Sequence, residues 1–245
     1  MTVLLALPAY NEEQGLPKLF RGFRDAMGAA NLRARVVIVD DGSKDHTREV
    51  IREWSSKLSI DLILHGENRG LGETIRDALK CAAALAEPDD TIVTMDADNT
   101  HDPVLIPSMI RLLGAGKDVV IASRYRPGSR VVGLEPHRRL VSYGARMLFQ
   151  IVHPISGVRD YTCGFRAYRA RAVKDAFARH GDALITERGF ACMAELLLRL
   201  SRMGLQMGEV PMVLRYDQKE GASKMKVART VLKTLRLMAR SRFTS

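Results

Sequence analysis

The sequence predicts an α/β fold: a mostly parallel central sheet with helices on both faces. Three observations predict it. Short apolar runs with β propensity recur along the chain, stretches with a helical period separate them, and each run passes straight into a polar or glycine-containing turn. Sheets of this kind bind ligands at the carboxyl ends of their strands, so function is expected in those turns.

The strand-like runs are residues 3–7, 36–39, 62–64, 92–95 and 119–122. Helical periodicity covers residues 16–27, 47–58, 74–85 and 104–113 between them. A Gly/Pro-rich loop follows at 126–137, then helical segments at 141–151 and 187–203, a late strand at 209–214 and a terminal helix at 223–240. The five early strands lead into Pro8-Ala9-Tyr10-Asn11-Glu12, Asp40-Asp41-Gly42-Ser43, Asn68-Arg69-Gly70-Leu71-Gly72, Asp96-Ala97-Asp98 and Ser123-Arg124-Tyr125. Each motif alone is weak; five on one rim of one sheet is a strong signal.

The chain has 245 residues, enough for one large domain, expected over residues 1–222, with a basic appendage at 223–245. Lys plus Arg number 38 and Asp plus Glu 28, a net charge of +10, which implies an anionic partner. Nucleic acid is disfavoured, because the aromatic residues do not interleave with a basic stripe. Three widely spaced cysteines form no disulfide framework or metal spacing and suit a reducing compartment. The N-terminal run reads as a first strand rather than a signal peptide. No stretch approaches the roughly 18 apolar residues of a membrane span. The expected location is therefore cytoplasmic, at most peripheral on the cytoplasmic membrane face.

Asp96 and Asp98 are one residue apart at a strand end and can aim at one cation if the backbone turns there. Hard oxygen ligands with open positions suit Mg²⁺ or Mn²⁺ bridging a diphosphate. Asp102 before Pro103 reads instead as the cap of the next helix. His101 is a poor match for such a metal and reads as a surface or supporting side chain. In the second turn Gly42 allows tight geometry, and Ser43 or Asp45 can cap a helix. That leaves a carboxylate at Asp40 or Asp41 to accept from a base N–H or a ribose hydroxyl. Asn68 to Gly72 permit close backbone approach before a helix N-terminus, where an anion is favoured.

These motifs, with Pro136-His137-Arg138-Arg139, Thr162-Cys163-Gly164-Phe165-Arg166, Glu209-Val210-Pro211 and Gly221-Ala222-Ser223-Lys224, resemble family 2 glycosyltransferases of the Rossmann-like GT-A fold. The branch most resembled is the dolichyl-phosphate mannosyltransferase, or polyprenyl-phosphate glycosyltransferase, branch, and the resemblance covers almost the whole chain. It implies inverting transfer of a sugar, mannose or glucose, from a GDP- or UDP-sugar to a polyprenyl or dolichyl phosphate, with Mg²⁺ or Mn²⁺. By that resemblance Pro8, Ala9, Tyr10, Glu12, Asp40, Asp41, Gly42, Asn68, Gly70, Asp96 and Ala97 would hold the nucleotide. Asp98, with Thr100, would hold the metal. Arg124, Arg138, Ser142, Arg215 and Lys224 would receive the acceptor phosphate, and Asp96, Asp98, Arg124 and Arg138 would form the catalytic set.

The chain departs from that branch in three places. Thr100 stands where the branch often has Gln, Cys163 where it often has Ser, and residues 216–220 lengthen the loop after Arg215. On a helical wheel Lys226, Arg229, Lys233, Arg236 and Arg240 share one arc of roughly 80°, opposite Val227, Val231 and Leu235. Such a helix either rests on an anionic leaflet or packs on the domain. A same-fold enzyme with a soluble acceptor is the rival reading. A hydroxyl acceptor needs a carboxylate base, for which Asp160 is the nearby candidate. A non-catalytic nucleotide-binding module is a more distant alternative.

Overall fold

Residues 1–218 are described by the computed structural model, without the side chains of residues 136–141 and 218. The expectations placed on the Arg138 side chain, on Lys224 and on the basic helix over 223–245 lie outside the described residues. The first half alternates as expected: β1 (Thr2–Ala9), α1 (Leu16–Ala29), β2 (Arg33–Asp40), α2 (Thr47–Trp54), β3 (Ser59–Leu64), α3 (Leu71–Leu85), β4 (Thr91–Thr94), α4 (Ile106–Gly114) and β5 (Val119–Ser123). A short 3₁₀ turn, Pro103–Leu105, precedes α4, and Asp102 accepts from the Val104 N–H at 3.0 Å. Asp102 is therefore a cap, as its position before Pro103 suggests.

The second half is more irregular. It contains β6 (Arg130–Val132), α5 (Pro136–Val152), β7 (Arg166–Arg169), α6 (Ala170–His180), α7 (Cys192–Arg202), β8 (Met207–Pro211) and β9 (Val213–Arg215). The helix expected from residue 187 starts at Cys192. Glu195 explains the delay: its carboxylate takes the N–H groups of Thr186 and Glu187, both at 2.8 Å, and so holds those residues outside the helix. The late strand expected at 209–214 is two strands in two sheets, divided where the Met212 N–H turns to the Ser123 carbonyl at 3.0 Å.

The main sheet has the order β3-β2-β1-β4-β7-β5-β8, and only β7 runs antiparallel. Helices α1, α2 and α4 pack together on one side, while α3 packs with α6 and α7. The chain moves from β1 to β2 on one side and returns to β4 on the other, so β1 and β4 flank the switch point of the sheet. Their central residues, Leu4, Leu5, Ile92 and Val93, are fully or almost fully buried, as strands covered on both faces require. A small parallel pair, β6 with β9, lies outside the main sheet. The Arg215 N–H donates to the Thr100 carbonyl at 3.2 Å, which ties that pair to the turn after β4.

Candidate active site

The turn after β4 is built around a left-handed residue. Asn99 has φ 61°, which Asn tolerates better than most side chains. Asp98 is buried and its Oδ1 accepts from the Thr100 hydroxyl at 2.7 Å and the Thr100 N–H at 3.2 Å. Thr100 therefore braces Asp98, a role that a hydroxyl fills at short range. Asp96 is the more open carboxylate, with its side chain 42% exposed. His101 is buried, not on the surface. Its Nδ1 accepts from the Asp96 N–H at 3.2 Å and its ring lies 5.3 Å from that of Phe165. That bond places the neutral ring's proton on Nε2, 4.0 Å from Asp96 Oδ2, so His101 supports the turn from beneath.

Two glycines let the chain come close to this turn. A Cβ at Gly15 would lie 2.6 Å from the Ala97 carbonyl oxygen, and one at Gly164 would lie 3.2 Å from Asp96 Oδ1. Among the described residues no group of three or more His, Cys, Asp or Glu is placed to hold a metal ion. The turn thus offers two hard carboxylates and no closed cage. That donor set fits Mg²⁺ or Mn²⁺, which keep water or substrate oxygens among their ligands, and does not fit a structural zinc.

The turns after β1 and β2 close on each other. The Asn11 N–H meets the Ser43 hydroxyl at 2.9 Å, and Asn11 Oδ1 receives the Lys44 N–H at 2.8 Å. The Glu12 N–H meets the Thr47 hydroxyl at 2.8 Å. Asp45 accepts from Thr47 and from the Glu13 N–H; burial pushes its carboxyl up, and these hydrogen bonds outweigh that and hold it low.

Asp40, the last residue of β2, and Asp41 after it are both deeper than their motif suggests. Asp40 is fully buried, and its carboxylate takes the Ser43 N–H at 3.0 Å and Arg48 Nε at 2.5 Å. Asp41 receives the N–H groups of Arg69 and Gly70, both at 2.9 Å, and its Oδ1 lies 2.7 Å from His65 Nδ1. His65 is itself buried and reaches Asp77 through Nε2 at 3.1 Å. These carboxylates shape the turn and pin the glycine loop. Pro8 and Ala9 lie buried at the end of β1, Tyr10 and Glu12 are half-buried at the mouth, and Asn68 is exposed.

The glycine loop also has a neighbour within the chain. The Gly72 N–H donates to the Arg188 carbonyl at 3.1 Å. Residues 187 and 188, held by Glu195, run so close that a Cβ at Gly72 would lie 1.8 Å from the Glu187 carbonyl oxygen and 2.9 Å from its carbon. Both atoms are backbone, so no side-chain rotation relieves the clash. Gly72→Ala is expected to cost at least about 3 kcal/mol, the upper end for overpacking. Urea denaturation checks this, with Gly28→Ala as the control, because a Cβ there meets nothing within 4 Å. A midpoint for Gly72→Ala equal to that of the control would refute the close approach.

On the opposite side, Arg124 is locked. Its Nε donates to Asp160 Oδ2 at 2.8 Å, and its Nη2 to Asp160 Oδ1 and the Thr162 hydroxyl, both at 2.7 Å. Asp160 is fully buried and also accepts the N–H groups of Arg124, Thr162 and Cys163. Burial opposes charge on both partners. The attraction of Asp160 nonetheless holds Arg124 well above its ordinary range, and that of Arg124 holds Asp160 below its own. Burial and then the charge of Asp160 push the Cys163 thiol up to about 12, so it stays neutral.

Segment 160–164 thereby spans the site, bonding Arg124 through Asp160 and Thr162 and touching Asp96 through Gly164. The Ser142 hydroxyl lies 2.5 Å from the Tyr125 hydroxyl. Arg215 is paired with Asp217 through both carboxylate oxygens. The structure thus gathers Asp96, Asp98, Thr100, Arg124 and Arg215 around the ends of β4, β5 and β9. His65 and Glu195 are supporting residues that no local motif marks, and Asp160 is a third supporting residue. The signal for Asp160 is its place two residues before Thr162-Cys163-Gly164.

The family model described as glycosyl transferase family 2 matches residues 5–177. A dolichol-phosphate mannosyltransferase of Pyrococcus furiosus is 33% identical over 200 residues, 81% of this chain and 53% of that protein. This chain thus spans about half the length of that relative. An undecaprenyl-phosphate mannosyltransferase of Micrococcus luteus is 30% identical over 226 residues, 92% of this chain and 88% of that one. Among solved structures, glucosyl-3-phosphoglycerate synthase from Mycobacterium tuberculosis, in complex with Mn²⁺, UDP and phosphoglyceric acid, aligns with a TM-score of 0.70. The identity is 19%, with 100% of this chain and 79% of that one covered, so this likeness concerns the fold. With the family match spanning the β1, β2, β4 and β5 turns, the chain belongs to glycosyl transferase family 2.

Proposed function

We propose that this chain is an inverting, metal-dependent glycosyltransferase that moves a sugar from a nucleoside-diphosphate sugar to a polyprenyl or dolichyl phosphate. The observation that carries the acceptor class is the state of Asp160. It is the candidate base that the sequence offers a hydroxyl acceptor, and it is fully buried with its oxygens spent on Arg124 and three backbone N–H groups. A phosphate acceptor is already an anion at neutral pH and needs no base. Both relatives named above act, by their names, in polyprenyl-phosphate mannosyl transfer, and mannose is the first sugar to test.

In this reading an acceptor phosphate oxygen attacks the anomeric carbon from the side opposite the leaving group. The new bond is carbon to phosphate oxygen. The bond to the nucleoside diphosphate breaks, its electron pair leaves with the diphosphate, and no proton moves. Asp96 and Asp98 would hold a divalent cation, which when bound stabilises the charge developing on the leaving diphosphate. Pro8, Ala9, Tyr10 and Glu12 line the entry to the nucleotide site, and Asp40, Asp41 and Gly42 set its wall. Arg215 lies beside the metal turn through its bond to Thr100.

Among the described residues no helix is long and apolar enough to cross a membrane. A lipid acceptor would therefore be met at the membrane surface, with the basic segment 223–245 supplying the contact. The decisive assay supplies Mg²⁺ or Mn²⁺, a polyprenyl phosphate and labelled GDP-mannose or UDP-glucose. Label entering the organic phase supports the proposal. Label passing only to a soluble acceptor or to water overturns it.

A further inference from the structure

One cation at this rim has no role in the mechanism above. Arg146 lies on α5 four residues after Ser142, so a helix sets both on one face. Its guanidinium carbon sits 4.8 Å from the centre of the Tyr125 ring and 5.3 Å from that of Tyr143. Its Nε is buried and, among the described residues, donates to nothing. Among the described residues no ion pair joins it to a carboxylate.

Arg124 approaches the same Tyr125 ring at 5.4 Å, but its charge is cancelled by Asp160 and its Nε and Nη2 are occupied. The Tyr125 hydroxyl holds the Ser142 hydroxyl at 2.5 Å. One tyrosine therefore contacts a neutralised arginine, a hydroxyl on α5 and an arginine with an unmet donor. A buried, unmet arginine N–H is costly unless an acceptor arrives, and a phosphate oxygen is the acceptor that a guanidinium fork suits best.

We propose that Arg146 binds the phosphate monoester of the acceptor beside Ser142, where the family resemblance already expects that phosphate, and that Arg124 with Asp160 positions Tyr125 between them. The inference deepens the reading given under the proposed function and rests on it for the identity of the phosphate. A lipid phosphate and a soluble phosphomonoester share the chemistry, and the experiment separates them.

Binding of farnesyl phosphate and of glycerol 3-phosphate is measured by calorimetry on wild type, Arg146→Gln and Arg146→Lys, beside transfer kinetics with each as acceptor. Arg146→Gln is expected to weaken binding by about tenfold or more, the size of one charge-assisted hydrogen bond. The KM for the sugar donor is expected to stay unchanged, and Arg146→Lys to recover part of the loss. Melting curves check that both variants fold. Should wild type make no glycolipid while Arg146→Gln weakens glycerol 3-phosphate binding, the lipid acceptor is wrong and the Arg146 site stands. Wild type binding neither probe, or Arg146→Gln and Arg146→Lys both binding as wild type does, overturns the site whatever the transfer assay shows.

Discussion

Asp98→Asn is expected to lower turnover by about 10³-fold, the upper range for one preorganised electrostatic group, while the protein keeps its fold. The substitution is chosen for the bond that Asp98 makes. Its Oδ1 accepts from the Thr100 hydroxyl and N–H, and an Asn Oδ1 accepts equally, so the turn survives and only the charge is lost. Asp98→Ala removes both, and its loss would mix turn with charge. Two measurements separate the roles: kcat with the nucleotide sugar, and Mn²⁺ binding in the presence of UDP. If Asp98 holds the cation, both fall together in Asp98→Asn. Turnover within a few-fold of wild type would remove Asp98 from the metal site. Thr100→Val then tests the brace, with the expected effect an order of magnitude or so, as for a group that orients a ligand.

The positions of Asp96 and Asp98 were legible because the signal is local. An apolar run ends, a turn begins, and the sheet rule says that such turns meet at one rim. The same logic placed the turns after β1, β2 and β5. It failed where a structure depends on distant partners. Strand β7 reads Arg-Ala-Tyr-Arg and shows no apolar run, yet it lies between β4 and β5. Its Arg166 is fully buried, donating to the carbonyls of Met193 and Tyr161, residues far from it in kind and from each other in sequence. No periodicity marks an arginine as core.

The glycine loop shows a partner that its own motif does not name, for the same reason. Gly70 and Gly72 do permit close approach, but the chain that approaches is 187–188, more than a hundred residues away and held there by Glu195. The paired carboxylates of β2 offer a third case. Their motif gives composition and turn geometry, and only the fold shows that Asp40 answers Arg48 while Asp41 answers His65 and two backbone N–H groups.

Asp160→Ala is expected to destabilise the protein by about 3–5 kcal/mol, the cost of breaking one side of a buried ion pair. The loss is larger than the pair's own contribution, because Arg124 keeps a charge with nowhere to place it and three N–H groups lose their acceptor. Removing both charges, in Arg124→Met with Asp160→Ala, strands no charge and is expected to cost less than the two single substitutions summed, a non-additivity that a double-mutant cycle over these two positions reads directly. The pH dependence has a fixed sign. Burial raises the Asp160 carboxyl, and the Arg124 charge and hydrogen bonds more than reverse that, so its folded value lies below the ordinary one. The stabilisation is complete above the unfolded carboxyl value of about 3.9 and is lost as pH falls through the lower folded value. An acid limb should therefore appear in the melting temperature of wild type and shrink in Asp160→Asn. A catalytic base would put that limb in kcat/KM instead, and Asp160→Asn would remove it there. Finding the limb in the rate and not in the melt would return Asp160 to chemistry, and with it the hydroxyl acceptor that its burial argues against.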